Sequence, residues 1–160
     1  QFGTAGLADK TKMITPIYSM DDRMLAATCT AGKGFYLSSL WSADLDNPQS
    51  KHFVEAFTKA YNRPPTAYAA QAYDTANLIG SALKAVNGDI TGKPDDFRNA
   101  LRRADFPSVR GKFKFGSNQH PIQDWYLLHI EAGPDGKLVY KNQKVLARDH
   151  TDVHAADCKM

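Results

Sequence analysis

The sequence predicts an α/β domain, and three observations predict it. Near the start, two short apolar runs flank a short helical segment. Three amphipathic helical segments follow with no strand between them. The last third returns to alternating and apolar strand patterns separated by a Pro-Asp-Gly turn.

The first run, over 12–18, reads as a short, mostly buried strand with Pro16 near its end. Ser19 followed three residues later by Asp22 has the form of a capping box, so a helix is expected over 23–29, carrying Met24, Leu25 and Ala27. Gly32 and Gly34 stop it, and the run over 34–41 is a second strand, apolar enough to be buried on both faces. Strand, short helix, strand is a βαβ unit, and its strands are expected to be parallel.

A polar loop over 42–46 leads to the helical third. Asn47 is the expected N-cap of the first helix and Pro48 its first residue. The predicted buried stripe is Phe53, Val54, Phe57, Ala60 and Tyr61, and Pro64-Pro65 ends the segment. Thr66 caps the longest helix, expected to reach Asn87-Gly88, with Ala69, Ala72, Tyr73, Ala76, Ile79, Leu83 and Val86 facing the core. The third helix begins near Pro94. Asp95 and Asp96 stand in its first turn and Arg102 and Arg103 in its last, as the helix dipole favours. Beyond Val109, Phe113 and Phe115 alternate in a short strand, and longer strands are expected over 124–130 and 138–146 around the Pro134-Asp135-Gly136 turn. The tail from Ala147 is polar.

Composition narrows the function classes. The chain has 160 residues, 42% hydrophobic and 23% charged, the balance of an ordinary globular domain. No apolar run approaches the ~20 residues that span a bilayer. The net charge of +3 is small and the basic residues lie in scattered pairs, which excludes a nucleic-acid surface. The start at Gln1-Phe2-Gly3 has neither an initiator Met nor a basic and apolar leader, so no signal peptide is expected in this stretch. Phe2 and Leu7 flank a glycine-containing stretch like the end of a helix, as if the chain began inside a larger fold.

Few residues suggest chemistry. Gly32-Lys33-Gly34 precedes a strand and presents no helix N-terminus to a phosphate, and no G-x-S-x-G elbow occurs. His150 and His154 have i, i+4 spacing but lack a third ligand in an apolar framework, so no metal and no cofactor is expected. Cys29 and Cys158 admit two readings, free thiols with Cys29 buried or a disulfide. In chain-entropy terms, closing a loop of about 100 residues is worth ~4.7 kcal/mol. Asp21 and Asp22 follow the C-terminal end of a parallel strand, the edge at which open α/β sheets bind ligands, and the same loop holds Tyr18 and Ser19. Helix capping also accounts for the two carboxylates. Tyr68, in the first turn of the long helix, is placed either to stack on a ligand or to pack.

An ordered set of motifs adds to this reading: Asp46-Asn47-Pro48, Phe53-Val54-Glu55-Ala56-Phe57, Tyr61-Asn62-Arg63-Pro64-Pro65, Ala70-Gln71-Ala72-Tyr73-Asp74, Gly111-Lys112-Phe113-Lys114-Phe115, Gln123-Asp124-Trp125-Tyr126 and Cys158-Lys159-Met160. Together they resemble the extracellular ligand-binding receptors of the Leu/Ile/Val-binding protein family over essentially the whole chain. The resemblance implies part of a type I periplasmic binding protein fold, with Rossmann-like three-layer αβα lobes joined by crossovers. It would place 1–41 in the C-terminal lobe, the helices of 47–104 on the N-terminal lobe, and 109–160 as strands and tail returning across the hinge. It implies binding and no catalysis: a branched-chain amino acid or related small acid held between lobes in the periplasm and delivered to an ABC permease of the inner membrane. A ligand sensor of the same fold is the alternative.

Tyr18, Ser19, Met20 and Asp21 match the loop where amino-acid binders set an acidic residue against the ligand ammonium, and Tyr68 matches an aromatic lining the cleft. No Glu stands at the usual place, which leaves aromatic and keto acids open. The hydroxyls and N–H groups that hold the ligand carboxylate in this family belong to a half that precedes Gln1. A piece divided in this way is expected either to self-associate or to pack its helices differently from the intact protein.

Overall fold

The first strand is cut short by its own proline. In the computed structural model, which describes residues 2, 5–8 and 10–158, β1 is only Ile14–Pro16, and Ile17–Ser19 turn away as a 3-10 helix. Pro16 has no N–H to give the ladder, so the chain leaves the sheet there. The expected cap moves as well. Asp21, not Ser19, is the N-cap of α1 (Asp22–Ala27), its carboxylate accepting from the N–H groups of Arg23 and Met24. α1 stops before Cys29, which takes a left-handed φ of 48° in the following 3-10 turn. The Thr28 hydroxyl donates to the Leu25 carbonyl at this end. Parts of the Gln1-Phe2-Gly3 start and the Lys159-Met160 ending lie outside the described residues.

β2 (Tyr36–Ser39) pairs in parallel with β1, as a βαβ unit requires. β3 (Phe113–Phe115) is short, whereas β4 (Pro121–Ala132) and β5 (Leu138–His150) are longer than their apolar runs suggest; all three are antiparallel to their neighbours. β5 pairs with β4 along most of its length, while β2 and β3 share β4's other edge, so β4 is the spine of the sheet. Strand periodicity then sorts the side chains. Leu37, opposite Leu128, together with Ile130 and Tyr126, points to one face and is buried; Tyr36 and His129, also opposite one another, stack on the other face at 4.6 Å. β2 therefore alternates and is not buried on both faces, its Tyr36 and Ser38 being half-buried.

Helices α2 (Pro48–Tyr61), α3 (Ala67–Ala85) and α4 (Pro94–Arg103) begin where the capping signals predict. Asn47 and Thr66 accept from the first free N–H groups of α2 and α3, and α2 and α4 each open on proline. Phe53, Ala67 and Ala70 share one core with Leu25, Leu37, Trp41, Leu128 and Ile130. Full burial of each large apolar side chain here stabilises by roughly 1.5–3 kcal/mol.

Two predicted stripes need correction. Of the predicted α2 stripe only Phe53 is fully buried, and Ala60 and Tyr61 are exposed. On α3 the buried face is Ala67, Ala70, Asp74, Ala82 and Val86, with Ala72, Tyr73, Ala76 and Ile79 outside. The cause is Asp74, 1% exposed, which accepts from the Ser108 hydroxyl at 2.6 Å, the Val109 N–H at 2.9 Å and the Arg110 Nε at 2.7 Å. A carboxylate so fully satisfied can be buried, and it turns the helix to present its small residues inward.

The cysteines follow the free-thiol reading except that Cys29 is not buried. Both are exposed free thiols. Cys29 shares a surface groove with Gly136 and Leu138, beside the end of β4. Cys158 follows a turn whose Ala155 carbonyl and Asp152 carboxylate accept from Ser117 and Asn118, beside the start of β4. The 12 residues of β4 lie between the two groups, about 40 Å at ~3.4 Å per residue, whereas a disulfide brings Cα atoms within ~7 Å.

Candidate ligand-binding site

Chain segments that leave the sheet and re-enter helices enclose a cavity of about 190 Å3. Ile17 and Tyr18 come from the turn after β1, Asp21, Asp22 and Leu25 from α1, Trp41 and Ser42 from the stretch after β2, and Pro65, Thr66 and Tyr68 from the start of α3; Leu128 on β4 and Leu138 and Tyr140 on β5 complete it. Local signals position most of these. Pro16 ends β1 and delivers Tyr18, the Asp21 cap holds α1, and Thr66 starts α3 so that Tyr68 falls in its first turn.

Three of the residues singled out from the sequence thus meet in one place: Tyr18, Asp21 and Tyr68 line the cavity. The Tyr18 and Tyr68 rings lie 5.3 Å apart at 48°, a separation typical of interacting aromatic pairs. Ser19 and Met20 belong to the same loop but do not line the cavity. Ser19 is exposed, and Met20 is buried in the core with its carbonyl accepting from the Tyr140 hydroxyl at 2.6 Å.

The walls are mainly apolar, and the polar groups among them are specific. Gln71 donates through Nε2 to the Tyr18 oxygen at 2.8 Å, which leaves the Tyr18 O–H proton free. Burial raises the Tyr18 pKa, only partly offset by that hydrogen bond. The Tyr140 proton is committed to Met20, so its oxygen can only accept further bonds. Burial first, and then the charges of Asp22 and Asp21, hold the Tyr140 pKa far above the ordinary phenol value. Desolvation, with the Asp21 charge adding to it, raises the Asp22 pKa from its ordinary value. No lysine or arginine is among the lining residues.

Sequence reasoning left Trp41, Leu128 and Tyr140 out of the site. Tyr140 lies 120 positions beyond the carbonyl it binds, and no local pattern signals such a contact. Asp22 carried a signal, since it stands beside Asp21 after the parallel strand, but capping accounted for it equally well. Among the described residues no group of three or more His, Cys, Asp or Glu side chains is gathered to hold a metal ion. Among the described residues no helix is long and apolar enough to cross a membrane.

This arrangement, three tyrosines and two carboxyls around an apolar space, can bind a small organic molecule; no nucleophile with an activating base is present among the lining residues. The sequence matches, over residues 1–137, a family described as periplasmic binding protein. The solute-binding protein of an ABC transporter from R. palustris, solved with benzoate, is 32% identical over 97% of this chain, with a TM-score of 0.82. An ABC transporter substrate-binding protein from Sphaerobacter thermophilus is 27% identical over 92% of the chain, with a TM-score of 0.83. A solute-binding protein from Rhodopseudomonas palustris BisB5, solved with 3,4-dihydroxybenzoic acid, is 26% identical over 92%, with a TM-score of 0.72. The chain spans 42%, 40% and 40% of these three proteins respectively. No curated protein matches the sequence. The mixed α/β lobe is thus that of a type I periplasmic binding protein fold, a binding and not a catalytic architecture, and the chain belongs to the periplasmic binding protein family.

Proposed function

We propose that this chain is part of the solute-binding component of an ABC importer, and that its ligand is a small aromatic carboxylate. The observation that carries the reading is the cavity. Its volume of about 190 Å3 compares with the ~150 Å3 apolar cavity that accommodates benzene, and the Tyr18 and Tyr68 rings stand on its wall. The benzoate complex of the 32% identical relative supports the same ligand class. In this reading the intact protein closes two lobes over the ligand in the periplasm, and the closed form is recognised by a permease of the inner membrane. Ligand acts by shifting population from open to closed. Tyr18 and Tyr68 supply ring contacts, Asp21 holds the loop through its cap, and Met20 anchors that loop to Tyr140.

A branched-chain amino acid is the second reading, favoured by one observation: two carboxyl groups line the cavity, where an ammonium could be received. A thermal-shift screen of the intact protein against benzoates, leucine, isoleucine and valine separates the two. Only a ligand that binds the native state raises the midpoint. An upward shift with benzoates and none with the amino acids is expected; the reverse pattern overturns the aromatic reading.

A further inference from the structure

The polar groups of the cavity form an incomplete set. Asp22 lines it, is half-buried, and among the described residues has no hydrogen-bonded side-chain partner, whereas the Asp21 carboxylate accepts two backbone N–H groups. Across the same space, Tyr18 accepts from Gln71 and retains a free O–H donor. An acceptor without a donor and a donor without an acceptor thus face one apolar space. A polar group that a bound ligand covers and leaves unpaired is costly, so a ligand that pairs with both is favoured over one that pairs with neither.

Charge decides which end of an acid ligand enters. With two carboxyl groups and no basic side chain in the lining, a carboxylate pointed inward meets like charge in a poorly solvated place. The carboxylate end must therefore face away from Asp21 and Asp22, and the opposite end of the ring meets Asp22. A ring hydroxyl at that end can donate to Asp22 and accept from Tyr18, whereas an unsubstituted ring edge satisfies neither. A bare alkyl or aryl tip would leave the pair as it stands.

Resting on the aromatic-acid reading above, we infer that Asp22, with Tyr18, is a specificity determinant that recognises a ring hydroxyl opposite the carboxyl group, so that the protein prefers hydroxybenzoates to benzoate. A site built to hydrogen-bond a hydroxyl discriminates strongly against the analogue lacking it, while removal of the partner residue removes that discrimination.

Isothermal titration calorimetry on the intact protein with benzoate, 4-hydroxybenzoate and leucine tests this. The wild type is expected to bind 4-hydroxybenzoate at least about tenfold more tightly than benzoate, and Asp22→Ala to bring the ratio to within about twofold while benzoate affinity holds or improves. Tyr18→Phe is expected to reduce the ratio in the same direction. Where circular dichroism shows that Asp22→Ala does not fold, Asp22→Asn serves, and it too lowers the ratio because a neutral amide oxygen accepts more weakly than a carboxylate. Equal wild-type affinities for the two benzoates, or a preference unchanged in the Asp22 variants, overturn the inference alone. Binding of leucine with neither benzoate overturns the aromatic reading and the inference together.

Discussion

The guanidinium of Arg110 donates through Nε to the Asp74 carboxylate at 2.7 Å, with 9% and 0% of the two side chains exposed. Arg110 also donates to Gln123 Oε1 at 2.9 Å and lies over the Phe113 ring at 4.4 Å, so this one pair ties α3 to β4 and β3. Asp74→Ala removes the acceptor of three donors and strands a buried cation. A loss of about 3–5 kcal/mol is expected, read as a lower urea midpoint at unchanged slope. The double variant Asp74→Ala with Arg110→Met is expected to cost less than the sum of the single changes, because no unpaired charge then remains.

Trp41 reports on the cavity directly. It is 3% exposed, lines the cavity, and its indole N–H donates to the buried Ser50 hydroxyl at 2.9 Å. The only other tryptophan, Trp125, stands on β4 and does not line the cavity. Adding benzoate to the intact protein is expected to change the tryptophan emission of a Trp125→Phe variant and to leave that of Trp41→Phe unchanged. A response that follows Trp125 instead would place the ligand elsewhere.

The same indole gives a stability prediction. Ser50→Ala leaves the Trp41 N–H without its partner inside the core, where Ser50 itself is fully buried. A loss of about 1–3 kcal/mol is expected, measured by denaturant titration. Ser50→Thr, which keeps the hydroxyl, restores part of it if the extra methyl is accommodated.

What the sequence made legible is what depends on near neighbours. Asn47, Thr66 and Pro94 start their helices because a cap or an N1 proline acts within four residues. The parallel β1 and β2 follow from the length of the segment joining them. Distant partners were not legible. Asp74 is drawn inward by Ser108 and Arg110, 34 and 36 positions away, and that rotates α3 against its own apolar pattern. Tyr140 enters the candidate site through the carbonyl of Met20, 120 positions earlier. The Tyr18, Asp21 and Tyr68 part of the site was accessible because a strand end and a helix start fix it locally; the Trp41, Leu128 and Tyr140 part is set by sheet pairing.

The thiols are expected to be independent. Cys29 and Cys158 are exposed and stand at opposite ends of β4. Both should react with an alkylating agent in the native chain without prior reduction, giving two additions by mass spectrometry. An intact mass two hydrogens lighter, with no addition, would show a bridge and require the tail to be placed differently.

The Tyr140 phenol sets an alkaline limit to stability. Its pKa is raised far above the ordinary phenol value by burial, and then by the Asp22 and Asp21 charges beside it. In the unfolded chain the phenol ionises near its ordinary pKa of about 10; in the fold it stays protonated and keeps its 2.6 Å bond to the Met20 carbonyl. The sign follows from proton binding. Above the ordinary phenol pKa the native state holds a proton that the unfolded state has lost, so unfolding releases it and stability falls as pH rises. Below that pH the contribution is fully present. Tyr140→Phe removes the titrating group, so its unfolding free energy should fall less steeply than the wild type's once the pH passes about 10. At neutral pH the variant should be less stable by about 0.5–1.5 kcal/mol for the lost hydrogen bond. Urea titrations of both proteins at neutral and alkaline pH check the two statements separately, and parallel alkaline slopes would mean that Tyr140 ionises as readily in the fold as outside it.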